Sequence, residues 1–169
     1  SGDISGRKVQ LLANQITNKT LVYRHNYEHG FSELAGKLAT ITGIDTLNIY
    51  SAGDIMVAGS ALKSNGELKV KAGGKVTIVP QKVRQDHAQQ GEHWQTATKS
   101  LVNIQSELKA IDLLSIVGNE IFVTGAILES EGVLEILASE GIYLTAAIDN
   151  FSSSESFEVQ TGGLFGTKE

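Results

Sequence analysis

The chain contains no cysteine, so the candidates for chemistry are its four histidines, its carboxylates and its hydroxyls. His25 and His29 are spaced so that on a helix they would share one face and could hold a metal ion. Sixty-seven residues further on, Glu92 and Thr96 stand at the equivalent places, so the pair is not repeated and reads as part of a solvated hairpin. His87 and His93 have no such partner in the sequence. Asp54 and Glu120 fall in equivalent turns of a repeat and could be taken for a glycosidase pair. Such acids must lie roughly 5 to 9.5 Å apart. Three turns of a coiled array at about 4.8 Å each would separate them by about 14 Å, so they are expected to be turn residues. Gly73-Gly74 lacks the following Gly and Asp of a calcium-binding nonapeptide, and Ser152-Ser153-Ser154 lacks the flanking glycines of a nucleophile elbow. No catalytic, metal or cofactor site is therefore expected. The remaining candidates are aromatic: Tyr23, Tyr27 and Trp94 cluster in polar stretches. There they would either contact a partner or pack those stretches against the core.

The elements that carry these residues are set by a repeat. Leu47–Ile78 and Leu114–Leu144 read alike at an offset of 67, falling to 66 after one residue is lost before Glu120. Ile55 matches Ile121, Leu62 matches Leu128, Leu68 matches Leu134 and Val76 matches Ile142. Val9-Gln10-Leu11 matches the end of an earlier copy. The expected organisation is one fragment spanning 1–169 of a longer array. It holds two full units, 9–75 and 76–141, and the start of a third; residues 1–8 are a cleavage scar and lead-in. A shorter period lies inside each unit, since Leu47 to Leu68 and Ile55 to Val76 are each 21 residues. This divides a unit into three turns of 21 plus four extra residues.

Alternation identifies the turns as strands. Leu47/Ile49, Ile55/Val57, Leu68/Val70 and Val76/Ile78 each place two aliphatics on one face at period 2. Gly and Asn between them suit tight corners. One turn cannot cover its own inward side chains, but the next turn stacked on it can. The fold expected is all-β: a right-handed parallel β-helix, or solenoid, with turns of about 21 residues and protruding polar hairpin inserts. Leu62 and Leu128 should close its third side.

Two polar stretches break the pattern, after Leu11 and after Ile78, and begin 67 residues apart. They are expected to leave the array as hairpins on the same side, with Leu34/Ile41 and Leu101/Leu108 resuming the turn spacing. A helix competes for Trp94, Ala97, Leu101, Ile104 and Leu108, which follow 3-4 spacing. The abundance of Thr, Val and Asn there favours strands. A third insert, from Asp149 onward, is rich in Ser and Gly and is expected to be partly disordered at its cut end.

The net charge of −5 gives no electrostatic reason to bind nucleic acid. No apolar run approaches the roughly 20 residues of a membrane helix.

Residues 53–79 resemble the haemagglutinin repeat of filamentous haemagglutinins and of contact-dependent growth inhibition effectors. The likeness lies in Gly53-Asp54-Ile55, Gly59-Ser60, Leu62, Gly66, Leu68 and Ala72-Gly73-Gly74. The second copy departs from it at Asn119-Glu120, Ala126 and Ser139-Glu140. The Ser-rich break before Leu164-Phe165-Gly166 is most similar to the second repeat region of the effectors. The resemblance implies a right-handed β-helix, secretion through a partner outer-membrane transporter, and display on a Gram-negative surface facing a target or host cell. In the effectors that second region is associated with moving toxin across the target's outer membrane. The function implied is a non-enzymatic stalk, with a host-cell adhesin or, less favoured, a β-helix polysaccharide-active protein as alternatives.

Overall fold

The computed structural model describes residues 2–92 and 94–157, with the backbone alone at 157. Every regular element among the described residues is a β-strand. The chain opens with β1 (Asp3–Ala13), β2 (Ile16–Lys19), β3 (Val22–Tyr27) and β4 (Gly30–Ala35). Next come β5 (Thr40–Ser51), β6 (Ile55–Ala58), β7 (Ala61–Ser64), β8 (Glu67–Ala72) and β9 (Val76–Val79). After the long pair β10 (Gln81–Gln90) and β11 (Trp94–Ile104) the order resumes with β12 (Glu107–Ala110) and β13 (Leu113–Thr124). β14 (Ile127–Ser130), β15 (Val133–Thr145) and β16 (Asn150–Phe157) complete it. Eleven strands pair in parallel; β3, β4, β10, β11 and β16 form a separate antiparallel sheet.

The parallel pairing follows three rows. Ile41, Leu62, Leu108 and Leu128 are successive partners in the first. Val9, Leu47, Leu68, Leu114 and Leu134 form the second. Ile16, Ile55, Val76, Ile121 and Ile142 form the third. All three rows contribute to one apolar cluster, in which Leu47, Leu62, Leu68, Leu108, Leu114 and Ile121 are sealed from solvent. Identical aliphatics recur one above another because each level repeats the same alternation, so a side chain buried at one level covers its equivalent at the next. Burying each contributes roughly 1.5–3 kcal/mol. Cover fails at the last level, where Leu134 is 47% exposed.

The register revises the internal arithmetic of the unit. Leu47 pairs with Leu68 at the expected step of 21, but Leu68 pairs next with Leu114, 46 residues on. A unit of 67 is thus two parallel levels plus an excursion, and not three turns plus four residues. Ile41 and Leu108 rejoin the parallel rows as expected. Leu34 and Leu101 do not: both sit in the antiparallel sheet, and Leu34 is largely exposed.

Where the excursion leaves, the backbone is tightly specified. Gly59 and Gly125 occupy equivalent corners with φ of 53° and 48°. A Cβ on either would lie only 2.3 Å from the Gln81 Cβ or 2.4 Å from the Ala147 Cβ, at the root of the following insert. Beside them a column of small residues, Ala39, Ser60 and Ser106, is fully or almost fully buried. Ser60 donates its hydroxyl to the Asn18 carbonyl at 2.9 Å, and Ser106 donates to the Val79 carbonyl at 2.6 Å. The Val79 carbonyl also accepts the Gly59 amide at 3.0 Å, so the Ser106 hydroxyl is itself satisfied in the interior by sharing that acceptor.

Candidate functional site

The three polar inserts do not protrude independently. They join edge to edge in the order β16-β11-β10-β4-β3, forming a side sheet along the parallel array. The first insert is a hairpin in which Val22 pairs with Ala35 and Tyr27 with Gly30. The second pairs Gln81 with Ile104 and, at its far end, Gln90 with Gln95. Trp94–Ile104 is therefore strand, Leu108 lies in the following strand β12, and the 3-4 spacing does not form a helix. The first insert meets the second through Gln85–Ser32, Asp86–Phe31 and His87–Gly30. The second meets the third along eight positions, from Leu101–Asn150 to Trp94–Phe157. That pairing holds Asn150–Phe157 in a strand; the far end of this insert, for which partial disorder was expected, lies outside the described residues. Residues 158–169, including Leu164-Phe165-Gly166, lie outside the described residues, as does His93.

Carboxylates close both seams. The Arg84 amide donates to Glu33 Oε2 at 2.9 Å, and the Asn103 amide donates to Asp149 Oδ1 at 2.8 Å. Each occupies a backbone donor at a root of the side sheet, where no strand partner reaches it.

Directly paired residues in an antiparallel sheet point to the same side, and successive residues alternate. Tracing this rule through the registers assigns every side-sheet residue to one of two faces. Tyr23, Tyr27 and Trp94, the three aromatics singled out by sequence, fall on the same face. They are 61%, 50% and 39% exposed, so they do not pack the inserts against the core. Phe151, which the sequence reading missed, joins them and is also exposed. Between the rings lie Ser32, Gln85, Gln89, Thr96, Thr98 and Ser100. Glu155 is the sole Asp, Glu, Lys or Arg on this face among the described residues. The opposite face carries Arg24, Glu33, Lys82, Arg84, Asp86 and Lys99. There Arg24 lies over the Phe31 ring at 3.6 Å, and Lys99 pairs with Asp86 at 3.7 Å. The signal was present in the sequence as Gln81-Lys82-Val83-Arg84-Gln85-Asp86, in which charge alternates at period 2.

The uncharged face has a local centre. The Tyr27 ring meets His25 edge-on at 4.7 Å and His87 edge-on at 6.1 Å. The Tyr27 and Ser32 hydroxyls are 2.9 Å apart. Gly30 separates Tyr27 from His87, and a Cβ there would lie 1.9 Å from the Asp86 carbonyl oxygen. A glycine is needed for the two hairpins to approach this closely.

No protein-family model, curated protein or solved structure significantly matches this chain. The likeness to haemagglutinin repeats thus rests on the short sequence motifs given above.

The other sequence candidates resolve into structural roles. His29 lies in the hairpin turn outside the strands, where its carbonyl accepts the Ala88 amide. No group of three or more His, Cys, Asp or Glu able to hold a metal occurs among the described residues. Asp54 and Glu120 are two levels apart, not the three assumed, because Ile55 pairs with Val76 and Val76 with Ile121. Lys75 stands between them. Its amide donates to Asp54 Oδ1 at 2.8 Å, and its ammonium meets Glu120 Oε2 at 2.7 Å. The hydrogen bond to Glu120 raises the Lys75 pKa, and the charges of Glu120, Asp54 and Glu140 reinforce it. Both carboxylates are engaged in bracing turns. Gly74 serves the same turn, since a Cβ there would lie 2.2 Å from Asp54 Oδ1.

Proposed function

We propose that the chain is a right-handed parallel β-helix and a non-enzymatic stalk segment of a large secreted exoprotein, carried through a partner outer-membrane transporter to a bacterial surface. The observation that carries this reading is the sealed column Leu47, Leu68 and Leu114, each 0% exposed, with its neighbours at one fixed register. Repeated levels give a rod whose length is set by the number of units, which is what a spacer requires. The engagement of Asp54 and Glu120 with Lys75 leaves them no free pair for glycoside chemistry, which weighs against the polysaccharide-enzyme alternative.

The test is geometric. Each 67-residue unit adds two levels, or about 10 Å at the usual strand spacing. Inserting ten copies of residues 76–141 into the parent protein should lengthen its surface fibres by about 100 Å in electron micrographs. Fibres of unchanged length, or fibres that gain a globular bulge, would refute the stalk.

A second reading, attachment to a target or host cell through the inserts, is favoured by the shared face of Tyr23, Tyr27 and Trp94. The resemblance extends it to toxin delivery by the parent protein. Protein lacking residues 22–35 and 82–103 should lose cell binding; binding that persists without them would count against attachment through the inserts.

A further inference from the structure

We infer that the uncharged face of the side sheet binds a neutral polysaccharide lying flat across it. This names the ligand class for the attachment reading and rests on that reading.

The first support is the segregation of charge. Four strands from two of the inserts place Arg24, Glu33, Lys82, Arg84, Asp86 and Lys99 on one side. The other side keeps Tyr23, Tyr27, Gln85, Gln89, Thr96 and Ser100, with Glu155 its lone carboxylate at the edge strand. A surface that recognises sulfated glycan, nucleic acid or anionic lipid presents cations to it. Here the cations point the other way.

The second support is the mixture on that face. Tyr23, Tyr27, Trp94 and Phe151 stand exposed, and their apolar area contributes little until something covers it. Gln85, Gln89, Thr96, Thr98 and Ser100 stand among Tyr27, Trp94 and Phe151, while Leu34, paired with Tyr23, and Val102, paired with Val83, are also exposed on this face. A sugar ring offers both complements at once: a C–H face to lie on an aromatic ring, and hydroxyls to exchange hydrogen bonds with Gln, Thr and Ser. A lipid tail would leave those polar groups unpaired at a cost. A protein partner would favour apolar residues gathered into a dry centre.

The third support is shape. Two clefts of the side sheet open mainly on the charged side, one lined by Phe31, Arg84, Asp86, Lys99, Leu101 and Ser152. The uncharged side is one face of an open five-stranded sheet, which suits an extended chain better than an enclosed small molecule. Its central ring is held before any ligand arrives, with Tyr27 fixed by Ser32, His25 and His87.

The experiment uses the full chain. Retention is measured on insoluble cellulose, chitin and β-1,3-glucan, with heparin and alginate as charged comparators and phosphatidylcholine vesicles with and without phosphatidylserine. The expected result is retention on at least one neutral polysaccharide, insensitive to added salt. It should fall at least tenfold in Tyr27→Ala/Trp94→Ala, survive in Tyr27→Phe/Trp94→Phe, and persist in Arg84→Ala/Lys99→Ala on the opposite face. Three outcomes would each overturn the inference: retention on heparin or alginate alone that salt abolishes, binding to vesicles alone, or equal loss in both alanine pairs. Absence of retention on every neutral polysaccharide would also overturn it. If cell binding still depends on the inserts in that case, only the polysaccharide is wrong; if it does not, attachment falls as well.

Discussion

The parallel array and the side sheet are built from the same alternating strands but use the alternation differently. In the array it separates apolar from polar, and the apolar side is buried: Leu68 and Leu114 are 0% exposed. In the side sheet both faces meet solvent, and the alternation separates charged from uncharged. Burial supplies most of the stability of a packed sheet, whereas a single exposed layer depends on its ladders and on the scaffold to which it is joined. The array is thus the rigid part, and the side sheet is free to be specified by what it contacts.

The sharpest way to break this comparison is to truncate one large side chain in each region. Leu68→Ala should cost about 2–5 kcal/mol, because the levels above and below hold the cavity open. Tyr23→Ala on the side sheet should change stability by about 0.5 kcal/mol or less. Urea unfolding of both variants measures the difference. Similar costs would mean that the side sheet is packed against something and is not a free layer.

The next test targets the junction. Gly59→Ala places a side chain in the left-handed region, which alone costs about 1–2 kcal/mol, and brings its Cβ close to Gln81 at the root of the second insert. Gly125→Ala repeats the experiment at the root of the third. Hydrogen exchange should accelerate in β10 and β11 for the first and in β16 for the second, with the array amides less affected. Uniform acceleration throughout the chain would show that the two regions unfold as one. A milder loss is expected from Ser106→Ala, which removes the buried hydroxyl donated to the Val79 carbonyl at the same corner and leaves that carbonyl with the Gly59 amide. Its cost should be about 1 kcal/mol by the same urea measurement.

The array was legible because its aliphatics carry their partners in the numbering. Leu47 and Leu68 can be matched by counting, and the structure pairs them. The count failed where Leu34 and Leu101 kept the same alternation without being buried, because an exposed strand alternates as well as a covered one. The faces of the side sheet were hidden for another reason. Whether Tyr27 and Trp94 share a face depends on how Ser32 meets Gln85 and how Gln85 meets Ser100, and β4 and β10 are separated in the chain by two full levels of the array. Spacing within one segment cannot supply that register. Phe151 was overlooked because only its pairing with Ser100 brings it to the aromatic face.

The smallest effect concerns the outward charges of the array, where Lys75 and Glu120 join adjacent levels. The hydrogen bond from Lys75 to Glu120 holds the ammonium above its ordinary pKa. The folded state therefore binds this proton more tightly than the unfolded one. The resulting contribution is present in full below the ordinary lysine value of about 10.4 and fades as pH rises through the raised value. Glu120→Gln should remove this alkaline dependence while changing stability near neutrality little, since Lys75 is exposed and the half-buried pair is screened by salt. Melting temperatures from pH 8 to 12 for both proteins decide it. If the variant falls as steeply as the parent on the alkaline side, the dependence arises elsewhere. Lys69, whose pKa is raised by its hydrogen bond to Glu67 within the same strand, would then be the group to neutralise next.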